Sequence, residues 1–131
     1  MIGLSMGGSL TLWSGLTLPG VVGLVCVNPV TMAQPAEVIE MITEMVADGT
    51  EIAPAIGGDI ADPDAVEIAY DGVPLRAMLS LMNDGLVPMT DRFGELSMPL
   101  LLITSQQDHV VEPANSEHLA ATFGGDVEHV W

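Results

Sequence analysis

Gly3-Leu4-Ser5-Met6-Gly7-Gly8 decides how the rest of this chain is read. The stretch fits G-x-S-x-G, in which a strand ends in a sharp turn, a serine occupies the apex, and a helix starts at once. Such a turn strains the serine backbone and brings its flanks too close for Cβ atoms, which is the physical reason for the glycines. A serine held in this way presents its Oγ above the C-terminal edge of a sheet, where it is a candidate nucleophile. The pattern calls for a buried strand before it, and Met1 and Ile2 alone precede it. The expectation is either a chance match or a piece of a longer protein.

The 131 residues suit one domain, and 49% hydrophobic residues supply enough apolar side chains for a buried core. Charge is sparse and one-sided: 18 acidic residues against 2 basic ones give a formal net charge of −16. Nucleic acid and anionic membrane surfaces both require clustered Lys or Arg, so neither is an expected partner. Cys26 is the single cysteine, which leaves no internal disulfide and no support for secretion. It lies in an apolar run, where a buried inert thiol is expected rather than a nucleophile. Residues 1–36 carry no charge. A signal peptide needs a positive start, and a spanning helix needs about 20 apolar residues without repeated breakers. Gly15, Pro19, Gly20 and Gly23 divide this stretch, so a buried core in a cytoplasmic protein is expected, without stable membrane insertion.

Onward from Ser5, residues 6–16 read as a helix with Leu10 and Trp13 at helical apolar spacing, stopped by Pro19-Gly20. Val21-Val22-Gly23-Leu24-Val25-Cys26-Val27 is continuously apolar and rich in β-branched residues, the mark of a strand covered on both faces. Asn28-Pro29 ends it. Residues 35–47 form an amphipathic helix with Val38, Met41, Ile42 and Met45 on one face and a stop at Gly49. Gly57-Gly58-Asp59 is loop. Asp62-Pro63 reads as an N-cap with proline at N1, and Asp64 with Glu67 as a capping box. A further helix over 74–83 carries Leu75, Met78, Leu79 and Met82 and stops near Gly85. Residues 99–104 form a second buried strand running into Ser105-Gln106-Gln107-Asp108. A helix over 113–123 turns Leu119 and Phe123 inward, and a third strand begins at Val127. Strand and helix alternate, which predicts an α/β fold with a parallel sheet and right-handed crossovers.

At this point the chain resembles the C-terminal half of an α/β-hydrolase, of the carboxylesterase and monoacylglycerol-lipase type. Three features carry the resemblance: the Gly3–Gly8 stretch, a helical segment of cap size, and Pro99-Leu100-Leu101-Leu102-Ile103 leading into Gln107-Asp108-His109-Val110-Val111. It implies a partial domain in which residues 1–28 hold the elbow, its helix and a strand. Residues 29–96 would be a helical cap, and residues 97–131 the acid-bearing strand, loop, helix and strand. It also implies hydrolysis of carboxylic esters, a small apolar ester as substrate, and neither cofactor nor metal.

Residue by residue, the resemblance makes Ser5 the nucleophile and Asp108 the acid that orients a histidine, and assigns the backbone N–H of Met6 to the oxyanion hole. A serine hydroxyl needs a histidine to take its proton, and the tetrahedral oxyanion needs preorganised donors. The order serine, aspartate, histidine places the triad histidine beyond Trp131. His109 is then a turn residue, His118 sits on a helix and His129 within the last strand, so none is assigned to catalysis. The alternative is a non-catalytic fragment or relic of the fold, acting at most as a binding module. Asp59, Asp62, Asp64 and Glu67 lack the ligand spacing of a calcium loop and are expected in helix capping. Met41, Met45, Met78, Met82 and Met89 either line an adaptable acyl pocket or pack the cap on the core. Arg76 and Arg92, the only two cationic side chains of the Lys/Arg type, are expected to hold the cap through ion pairs, the alternative being that they bind a substrate carboxylate.

Overall fold

The computed structural model describes residues 1–55, 59–62, 64–66 and 68–131. Strand β1 (Ile2–Leu4) turns at Ser5 into helix α1 (Met6–Thr17), and the chain returns to strand β2 (Leu24–Val27). An inserted segment follows, with α2 (Ala36–Ala47), β3 (Ile52–Pro54), β4 (Gly72–Pro74), α3 (Leu75–Ser80) and α4 (Val87–Thr90). Then come β5 (Leu100–Ile103), α5 (Ala114–Thr122) and β6 (Val127–Val130). β1, β2, β5 and β6 pair in that order, all parallel, so that Gly3, Cys26, Leu102 and His129 stand in one row across the sheet. This is the α/β architecture that the alternation predicts, with helices flanking a parallel sheet.

The apolar runs form strands because one face is wholly withdrawn from water. Leu24, Cys26, Leu100 and Leu102 are buried there, packed with Leu12 of α1, Leu119 of α5, and Leu86, Met89, Phe93 and Leu96 of the inserted segment. Each such side chain contributes about 1.5–3 kcal/mol of transfer free energy. The opposite face, with Val25, Val27, Leu101 and Ile103, is half-buried rather than covered. β2 begins at Leu24 instead of Val21 because its partner begins only after Pro99, and pairing starts at Leu24 with Leu100. Leu10 points outward, contrary to its expected core role; Leu12 takes that place, with Gly8, Ser9 and Thr11 beside it.

The inserted segment departs most from expectation. The helix over 74–83 does not stop at Gly85: α3 continues through a π-helical stretch, Leu81–Leu86, directly into α4. Glycine inside a helix costs about 1 kcal/mol. Burial of Leu86 and Met89 outweighs it. Pro88 cannot donate to the carbonyl of residue 84, and the wider turn just before it absorbs that break. β3 and β4 form an antiparallel ribbon, Ile52 opposite Pro74 and Pro54 opposite Gly72, where a purely helical segment was expected. Three-residue strands edged by proline are too short to show alternation. Asp62 does accept the N–H of Asp64 through its side chain (3.0 Å), but no helix forms among the described residues between 64 and 71. Gly57, Gly58, Pro63 and Glu67, and with Glu67 the expected capping box, lie outside the described residues. On α2, Val38, Ile42 and Met45 turn inward as expected, whereas Met41 is exposed.

Candidate functional site

Ser5 stands at the apex of the strand–turn–helix with φ 52° and ψ −118°. A left-handed φ on a non-glycine residue is strained, and it persists only where neighbours hold it. Several neighbours do so. The Ser5 N–H donates to Val27 O (2.9 Å), and its carbonyl accepts the N–H groups of Gly8 (2.9 Å) and Val30 (3.2 Å). A Cβ on Gly3 would collide with the backbone carbonyl of Gly7, and one on Gly8 with Pro29. Gly7 has open space at its own Cβ position. Met6 opens α1, and its N–H belongs to the first turn, which has no acceptor within the helix.

Asp108 lies beyond β5, in the turn that precedes α5. Its Oδ1 accepts the N–H groups of Val110 (2.9 Å) and Val111 (2.7 Å), which fixes the carboxylate plane. Among the described residues, Oδ2 takes no hydrogen bond. Ser5 and Asp108, far apart in sequence, line one cleft of about 280 Å³ together with Leu4, Asn28, Asp59, Ile60, Ser105, Val110 and Val111. None of the three histidines lines it. His129 pairs through Nε2 with Thr104 Oγ1 (2.9 Å) inside the sheet, and His118 lies edge-on to Phe93.

His109 does more than turn the chain. Its backbone N–H donates to Asp59 Oδ2 (2.7 Å), and its Nδ1 meets Asp59 Oδ1 at 3.0 Å. Asp59, expected as a helix cap, thus ties the inserted segment to the Asp108 turn and walls the cleft. Its carboxyl is held below the usual value by the backbone and side-chain hydrogen bonds from His109. The imidazole is raised above its usual value by the hydrogen bond to Asp59 and then by the Asp59 charge.

The loop after β2 went unrecognised in the sequence. Asn28 adopts φ 40°, a conformation asparagine tolerates, and its Oδ1 accepts the N–H of Ser105 (2.8 Å). Thr31 is fully buried and bound to Asn115 of α5 and Thr90 of α4. Asn-Pro gave a turn signal; nothing marked Thr31 or Asn115. Arg92 pairs with Glu95 in its own turn (2.8 Å), and so crosslinks nothing, while Arg76 makes no ion pair among the described residues. Met82 and Met89 are core residues. Met89 also lines, with Met6, Leu10 and Trp13, an open groove between α1 and the π-helical stretch. Cys26 is buried, and its thiol is pushed up to about 12 by that burial. Among the described residues no helix is long and apolar enough to cross a membrane.

No family model matches the chain. A thermostable monoacylglycerol lipase from Bacillus sp. (strain H-257) is 34% identical over 119 residues, which make up 88% of this chain and 44% of that protein. A solved structure of the metagenome-derived lipolytic enzymes LipS and LipT superposes with a TM-score of 0.84 at 29% identity, covering 100% of this chain and 53% of that one. The monoacylglycerol lipase of Paleococcus ferrophilus shares the fold, with a TM-score of 0.71 at 17% identity over 98% of this chain and 56% of its own. The chain therefore spans about half the length of the relatives it matches. With its parallel sheet, its serine turn and these likenesses, the chain is about half of an α/β-hydrolase fold, and the proteins with which it shares that fold are lipolytic enzymes.

Proposed function

We propose that this protein is a serine hydrolase of carboxylic esters, acting through an acyl-Ser5 intermediate. The observation that supports it most is the shared cleft: strained Ser5 on one wall, the fixed carboxylate of Asp108 on the other. In this reading a histidine takes the Ser5 proton as Oγ attacks the ester carbonyl, then returns it to the departing alcohol. Asp108 orients that histidine through Oδ2, the oxygen left unused by the turn. The Met6 N–H stabilises the oxyanion, a role for which a single donor is worth about 2.7–4 kcal/mol. His109, His118 and His129 stand outside the cleft, so we place the base beyond Trp131, in the order serine, aspartate, histidine. Residues 29–96 serve as the cap in this scheme. Leu4, Ile60, Val110 and Val111 make the surroundings of Ser5 apolar, which suits a small apolar acyl ester or a monoacylglycerol, the substrate named for the Bacillus relative.

The test is labelling with a fluorophosphonate followed by peptide mass spectrometry, alongside hydrolysis of a chromogenic butyrate ester. Wild-type full-length protein should carry the phosphonate on Ser5, and Ser5→Ala should lose both label and turnover. Turnover retained by Ser5→Ala would sink the assignment. A folded protein with neither label nor turnover would leave a binding role.

A further inference from the structure

We propose that Asn115 is a positioning residue that sets the separation of Ser5 and Asp108, an inference that rests on the serine-hydrolase reading above. The two residues are delivered by β1 and β5, which do not touch: β2 lies between them. Two strand spacings are about 9–10 Å, so what happens above β2 decides how the two groups face each other. The loop after β2 fills that gap and is bonded to both sides. Toward the serine, the Val30 N–H donates to Ser5 O (3.2 Å) and Ser9 Oγ donates to Val30 O. Toward the acid, the Asn28 N–H donates to Ile103 O (2.9 Å), and Asn28 Oδ1 accepts the Ser105 N–H.

Asn115 closes this bridge from above. Its Oδ1 accepts two consecutive backbone N–H groups, from Thr31 (2.9 Å) and Met32 (3.0 Å). Its own carbonyl accepts the Thr31 hydroxyl (2.7 Å), and its Nδ2 donates back to Glu112 O (3.1 Å) in the turn that leads from Asp108. One side chain thus fastens the loop under Ser5 to the start of the helix that follows Asp108. Thr31, fully buried, has no spare polar group: its carbonyl accepts the Thr90 hydroxyl (3.1 Å), which brings the end of the inserted helices into the same clamp. Asparagine suits the position because one amide both accepts and donates there.

Displacing reacting groups by about 1 Å can cost about 100-fold in rate. In full-length protein, Asn115→Ala should lower kcat about 10- to 100-fold with KM little changed, and slow phosphonate labelling of Ser5 in parallel. Asn115→Asp, which keeps an oxygen for both N–H groups, should recover most of the loss. Rates are taken per folded molecule, with the folded fraction read by circular dichroism at the assay temperature. Wild-type kcat in folded Asn115→Ala overturns the proposal, as does an Asp variant no better than Ala. Should the alanine variant not fold, Asn115→Gln decides. It keeps the amide but shifts the acceptor by one methylene, so a fall in kcat at constant KM supports the clamp and wild-type kcat overturns it. Ser5→Ala in the same assay separates the two ideas: its retained turnover would defeat the serine reading, whereas its loss beside an unimpaired Asn115→Ala would defeat the clamp alone.

Discussion

Gly7→Ala and Gly8→Ala should differ sharply, and the motif pattern alone ranks them the wrong way round. In G-x-S-x-G the second required glycine is Gly7, yet a Cβ there meets nothing within 4 Å. A Cβ on Gly8, outside the pattern, would lie 2.6 Å from Pro29 Cβ and 3.0 Å from Pro29 Cα. Pro29 is fully buried, and its ring cannot rotate away. Both glycines sit in α1 with ordinary helical φ, so each substitution gains the same helix propensity, up to about 1 kcal/mol. Their difference isolates the steric term, about 1–3 kcal/mol for overpacking. At about 4 °C per kcal/mol for a domain of this size, Gly8→Ala should melt about 4–12 °C below Gly7→Ala. Thermal unfolding of the two variants side by side measures it. Equal melting temperatures would refute the close approach of α1 to the loop after β2. Labelling of Ser5 by a phosphonate should slow in Gly8→Ala and not in Gly7→Ala, because Pro29 carries Val30 with it.

Cys26, with a folded value pushed up from 9.0 to about 12, should resist a disulfide reagent at pH 8 until the protein unfolds; prompt labelling of native protein would contradict its burial. The sign follows: the thiol's contribution to stability is intact below pH 9 and is lost as pH rises toward 12, so Cys26→Ala should flatten the alkaline fall of an unfolding titration. Asp59→Asn should bring the imidazole of His109 down toward 6.5, followed by proton NMR. An unmoved titration would mean that the pair is not formed in solution. Because His109 is raised and Asp59 lowered, the contact is complete in mildly acidic solution. It weakens as pH climbs through the raised His109 value, and again as pH falls through the lowered Asp59 value.

What was legible in the sequence was whatever a local pattern must encode. Leu24 to Val27 and Leu100 to Ile103 read as strands because a buried parallel strand has few polar positions to interrupt it. That Ser5 stands at a strand–turn–helix and Asp108 just beyond a buried strand was legible because glycines flank the one and the end of an apolar run marks the other; both line one cleft. The helix through Gly85 was not, since its continuation depends on a distant core that buries Leu86 and Met89. Nor was the β3–β4 ribbon, whose partners are separated by a long connection. Asp59 looked like a capping residue because its neighbours are acidic, and its partner, His109, lies fifty positions away.

The Asn28–Met32 loop shows where sequence reading loses the site. A motif records the atoms that react, because their chemistry restricts the residue type. It does not record the atoms that hold the distance between them, because amides, hydroxyls and backbone carbonyls occur everywhere and only their placement is special. Here the strand between the two walls of the cleft contributes no reactive group, yet its loop contacts Gly8, Ser5, Ser105, Thr90 and Asn115 through Pro29, Val30, Asn28 and Thr31. In this sheet β2 lies between β1 and β5, so the loop after β2 is the segment that bridges the ends of the strands carrying Ser5 and Asp108. Gly8 and Asn115, on opposite sides of that turn, therefore belong to the same argument, one setting how near α1 approaches it and the other how firmly α5 holds it.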